Sequence, residues 1–122
     1  AKEEAMYKKL NNFFDAAVAG DSAKMDECLK ADPWLLNAEH KQKAGATCVM
    51  IATRNKSLKG VQHLIELKCD LAKEDNFGWT SLNWANEDAE DETMAEIIKA
   101  LEAAGCEMGE GDDDDDDDDD DF

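Results

Sequence analysis

The sequence predicts an all-α chain in which about three helix-turn-helix pairs stack side by side. Three observations lead there. Gly45-Ala46-Thr47 recurs as Gly78-Trp79-Thr80, 33 residues later. Each copy is followed by an apolar residue two past the Thr (Val49, Leu82) and by an Ala five past it (Ala52, Ala85). Apolar residues recur at helical spacing, and no run alternates apolar and polar over a strand's length. A fixed period of this size marks a stacked array rather than one globular core. A chain of 122 residues holds one domain at most. Three pairs are near the lower limit for such an array, because each unit buries its apolar face only against its neighbours.

The elements follow in order. Over residues 3–18, Met6, Leu10, Phe13, Phe14 and Ala17 form a helical stripe. Asp21 or Ser22 can cap a second helix carrying Met25, Cys28 and Leu29, and Pro33 ends it. Thr47 to Asn55 is short and rich in small and apolar residues, as a buried inner helix requires. Ser57 can cap the helix of Leu58, Val61, Leu64 and Ile65, in which Gly60 costs roughly 1 kcal/mol relative to Ala. Thr80 to Asn86 is the next short helix. Met94, Ile97, Ile98 and Leu101 give the last stripe, with Gly105 just past its end.

The repeat resembles the ankyrin family, whose unit is a β-turn followed by two antiparallel helices. The family opening, Asp-x-x-Gly-x-Thr-Pro-Leu-His-x-Ala, is matched by Asp75, Gly78, Thr80, Leu82 and Ala85, with Ser81 for Pro and Asn83 for His. The preceding copy, residues 42–52, is looser. The family's closing Gly-Ala appears as Lys68-Cys69 and Gly105-Cys106. Residues 13–21 are similar to its N-terminal capping repeat, and residues 32–37 to its connector. The resemblance covers about residues 6–108. It implies a solenoid with repeats at about 6–37, 38–71 and 72–108 within a domain spanning 1–108, joined by β-turn or hairpin loops and followed by an acidic tail over 109–122. The last repeat departs from the pattern. Ala52 and Lys68 are 16 residues apart, but Ala85 and Gly105 are 20 apart. The extra length is an acidic loop over residues 86–92.

Several function classes are excluded by what the residues lack. There is no Gly-rich phosphate loop, no H-E-x-x-H and no G-x-S-x-G. His40 lies in a connector beside Lys41 and Lys43, and His63 on a helix surface. Neither has a neighbour that makes a nucleophile–base pair. Cys28, Cys48, Cys69 and Cys106 contain no C-x-x-C and read as reduced, mostly buried small hydrophobes. No enzyme activity, cofactor or metal is expected. No stretch of 18 apolar residues exists, and no charged-then-apolar leader opens the chain, so the expected location is cytoplasmic or nuclear.

The remaining signal is charge. Asp112 to Asp121 are ten aspartates, followed by Phe122. Such a block is expected to be disordered and extended. Subtracting it from the formal charge of −18 leaves −8 for residues 1–111. That field repels nucleic acid and attracts basic protein surfaces. The alternative is a tail that serves only solubility. In ankyrin proteins the partner meets the turn tips and inner helices, which implies Lys43, Ala44, Ala46, Arg54 and Asn55 in the middle repeat. In the last repeat it implies Asn76, Phe77, Trp79, Glu87 and Asp88. Phe77 and Trp79 are either exposed contact residues or packed on Trp84.

The expectation is therefore a non-catalytic interaction module, a monomer on its own. It would bind a basic protein through its concave face and through the tail from Asp112 to Asp121 and Phe122, as a chaperone or escort does. No direct nucleic-acid or membrane partner is expected. Two alternatives stand beside it: an adaptor subunit of a larger assembly, and a regulator whose Phe-ended acidic tail competes with nucleic acid for a basic groove.

Overall fold

The computed structural model describes residues 2–109, which are all-helical with no strand. Six α-helices run α1 Lys2–Ala19, α2 Ser22–Ala31, α3 Cys48–Arg54, α4 Leu58–Glu66, α5 Ser81–Asn86 and α6 Glu92–Ala103. Helix α1 packs on α3 and α3 on α5; α2 borders α4, and α4 packs on α6. The result is a repeat-like, two-layered row. Phe13, Phe14, Met25, Met50, Leu64 and Leu101 belong to one continuous core along it. None of these helices is long and apolar enough to cross a membrane.

Local chemistry sets the helix starts. Asp21 accepts from the Lys24 N–H at 3.1 Å, Ser57 from Gly60 at 3.2 Å and Asp91 from Met94 at 3.0 Å. The Asp91 cap starts α6 at Glu92, so the acidic loop ends one residue sooner than the sequence suggested. Helices α4 and α6 end alike. Lys68 and Gly105 both take positive φ, 61° and 92°, and the following Cys69 and Cys106 N–H groups donate back to Leu64 and Leu101.

Two short segments differ from expectation. Pro33 ends α2 but also opens a 3-10 turn over Pro33–Asn37, and a second 3-10 turn covers Lys41–Lys43. Pro needs no donor at a helical N-terminus, so the same residue stops one helix and starts the next turn. Gly60 also reads differently. A Cβ there would overlap the Ala17 carbonyl of α1, so the glycine permits α1 and α4 to touch.

His40 lies in its connector as expected, and there it is buried, 1% exposed. Its ring stacks on Tyr7 at 5.1 Å and meets the edge of Phe14 at 5.5 Å. Nδ1 accepts from the Gln42 N–H at 3.2 Å, which leaves Nε2–H to donate to Asn11 Oδ1 at 2.8 Å. Burial, with Lys43 second, lowers its pKa from 6.5, so the neutral ring is favoured.

Candidate interaction surface at the turn tips

The second and third helix pairs each project a tight turn ahead of the inner helix. In the first, His40 N–H donates to Ala46 O at 2.9 Å; in the second, Asp75 N–H donates to Trp79 O at 2.9 Å. Gly45 and Gly78 occupy the same place at φ 74° and 77°, the left-handed region that a side chain disfavours. The two turns are joined directly, because Asn76 N–H donates to Ala44 O at 2.8 Å. Residues 107–109 run alongside the second turn. Asn83 Oδ1 accepts from Gly109 N–H at 2.6 Å, its Nδ2 donates to Gly109 O at 3.3 Å, and Thr80 Oγ1 donates to Glu107 O at 2.6 Å. Gly109 lies so close to Gly78 O that a Cβ there would clash with it.

Asp75 organises the second turn. One oxygen accepts from the Phe77 and Trp79 N–H groups at 2.9 and 3.1 Å, and the other from Trp84 Nε1 at 2.8 Å. This fixes Trp84 edge-on to Trp79, with ring centroids 4.7 Å apart. The Arg54 guanidinium lies over Trp84 at 4.5 Å from the ring centre. Phe77 stays 48% exposed at the tip.

Lys43, Arg54 and Asn55, expected at the surface, come together with Ile51 to line one open groove of about 400 Å³. All three polar residues are exposed. Among the described residues, neither Lys43 nor Arg54 has a carboxylate partner. Ala44 is half-buried at φ 59°, and Asn76 is exposed.

Three of the expected contact residues are engaged within the fold. Ala46 is 1% exposed, because its strand-like pairing with His40 turns the methyl inward, so its side chain offers no contact surface. Trp79 is half-buried against Trp84, so only Phe77 of the aromatic pair stands free. Asp88 is exposed but already engaged: Lys56 Nζ lies 3.0 Å from both Asp88 and Asp91, and this contact raises the lysine pKa. Glu87 is exposed. Asp112, Asp121 and Phe122 lie outside the described residues.

Sequence reasoning did not find Arg54 over Trp84 or Asp75 as the organiser of the turn. Asp75 had a local signal, since an Asp five residues before a helix-capping Thr can bond the turn amides between them. The Arg54–Trp84 contact had none, because 30 residues separate the two.

Among the described residues, no three His, Cys, Asp or Glu side chains converge on a metal position. All four cysteines are free. Burial pushes the Cys69 thiol up to about 12 and the Cys48 thiol well above its usual value, so neither supplies a thiolate at neutral pH. No family model matches the sequence, and a search of curated proteins finds none that matches it.

Proposed function

We propose that this chain is a non-catalytic, ankyrin-type interaction module that binds a basic protein, in the manner of an escort. The observation that carries the reading is the pair of hydrogen-bonded turns, joined by Asn76 N–H to Ala44 O at 2.8 Å and tipped by an exposed Phe77. Loop backbone fixed by its own hydrogen bonds presents contact residues with little further ordering on binding. A large aromatic at such a tip fits a contact anchor better than a core residue. The charge of −18 supplies the partner's sign: a lysine- or arginine-rich surface is drawn in and wrong acidic partners are repelled.

The test is capture from a lysate with the full chain and with a chain ending at Gly111, each at low and high salt, followed by Phe77→Ala. The expected partner is basic, is lost on truncation and at high salt, and is weakened about tenfold or more by Phe77→Ala. A partner retained in all four conditions overturns the electrostatic reading.

A further inference from the structure

The groove beside Arg54 has the wrong sign for a face that meets a basic protein. Lys43 and Arg54 line it without carboxylate partners among the described residues, and Lys41, also exposed, is two residues from Lys43. This local positive site sits in a chain with 31 acidic and 13 basic residues. Arg54 is also held in place. Its guanidinium rests on Trp84, which Asp75 and Trp79 fix in turn. Stacking uses the face of the guanidinium and leaves its N–H edge for carboxylate oxygens. Asp75, which is bonded to Trp84, has both oxygens committed to donors.

We propose that the groove lined by Lys43, Ile51, Arg54 and Asn55 is the docking site for this chain's own aspartate segment, residues 112–121, bound in cis. Reach and charge both favour it. Gly109 is fixed beside Gly78 on the second turn, and that turn is bonded to Ala44, the neighbour of Lys43. The path from Gly109 to Lys43 crosses about three backbone spacings, roughly 15 Å. The 13 residues beyond Gly109 span up to about 45 Å when extended. Tethering at that range gives an effective concentration on the order of millimolar, enough for weak carboxylate–cation pairs to hold.

Docking has a regulatory consequence that rests on the proposed basic partner. The partner must take the aspartates from Lys43 and Arg54, so the groove sets how much of the segment is free to bind. Weakly basic surfaces are refused and strongly basic ones admitted. Occupancy of the groove itself does not depend on that partner.

Amide spectra by nuclear magnetic resonance test the occupancy in the full chain. The comparison is a full-length variant in which every aspartate from Asp112 to Asp121 is asparagine. Signals of Lys43, Ile51, Arg54 and Asn55 should differ between the two at about 20 mM salt and converge at about 500 mM. The differences should vanish in Lys43→Gln/Arg54→Gln and stay constant on tenfold dilution. Equal spectra, or differences spread evenly over the surface, overturn the proposal. Dependence on protein concentration also overturns it, since the segment then comes from a second copy.

The regulatory step is read with a decalysine probe. If the groove holds the segment nine-tenths of the time, Lys43→Gln/Arg54→Gln tightens probe binding about tenfold. The gain must disappear in the asparagine background, which removes the trivial effect of two fewer positive charges. An unchanged affinity overturns the regulation. A groove signal with no basic partner captured from lysate would defeat the proposed function and leave the docking standing.

Discussion

Replacing Gly60 by alanine adds one methyl where α4 meets α1. Helix propensity alone favours the change by up to about 1 kcal/mol. The packing opposes it. The new Cβ would overlap Ala17 O, and would lie 2.8 Å from Ser57 Oγ and 2.9 Å from the Ala17 carbonyl carbon. None of these is the yielding end of a flexible side chain. Helix α4 must retreat by roughly an ångström to restore ordinary contact. The retreat breaks the 2.7 Å bond that Ser57 Oγ donates to Ala17 O, a bond buried between the two units. Overpacking costs about 1–3 kcal/mol, and stranding a buried hydroxyl about 1–3 more. Set against the propensity gain, the net is a destabilisation of about 1–5 kcal/mol, with about 3 as the central value. Urea unfolding followed by circular dichroism should show a lower midpoint with an unchanged slope. Ser57→Ala isolates the hydroxyl and should cost less than Gly60→Ala. A Gly60→Ala midpoint equal to or above that of the parent chain would refute the close approach of α1 and α4 as the reason for the glycine.

Two further outcomes are expected. Lys68 holds φ 61° at the end of α4, where α6 uses Gly105. Lys68→Gly should therefore stabilise by about 0.5–1 kcal/mol in urea, the relief of the left-handed backbone exceeding the entropy glycine adds to the unfolded chain; an unchanged or lower midpoint would count against that conformation. His40 has a folded pKa below its ordinary 6.5, so the unfolded chain takes up a proton first. The stability it confers is complete above 6.5 and declines as pH falls from there towards the folded pKa. The urea midpoint should fall more steeply with acidification in the parent than in His40→Gln, and parallel curves would contradict the buried neutral ring.

What was legible in the sequence was local. The stripe of Leu10, Phe13, Phe14 and Ala17 sets α1; the cap expected at Asp21 or Ser22 falls on Asp21, and Ser57 caps as expected, because a cap bonds an amide three residues on. The 33-residue recurrence found two turns whose glycines share one backbone conformation. What was not legible depended on partners about 30 or more residues away. His40 shows only a connector position between a glutamate and a lysine, yet Tyr7 and Phe14 enclose it from α1. Gly60 looks like a weak spot in a helix until Ala17 is seen against it. Asp88 looks free until Lys56 reaches it across the unit boundary. Lys68 gives no sign of its left-handed conformation by residue type; only its alignment with Gly105 in the repeat points to it.

Magnitudes limit what the aromatic tip can do by itself. A phenylalanine buries roughly 200 Å² when fully enclosed, so the exposed half of Phe77 offers about 100 Å², or about 2.5 kcal/mol. The half-buried Trp79 adds a similar or smaller amount. A micromolar complex needs about 8 kcal/mol after the loss of translational and rotational freedom, which itself costs about 4 kcal/mol or more. The two rings therefore cannot hold a partner without another source of several kcal/mol. Exposed ion pairs contribute about 0.2–1 kcal/mol each. Ten aspartates supply the missing amount only if most of them engage, and ion pairs of that kind are lost in salt. Salt sensitivity is thus a quantitative requirement of binding by the turn tip and the aspartates together. A micromolar partner unmoved by salt would need a further apolar surface of some hundreds of Å², and would point to an adaptor role in place of an escort.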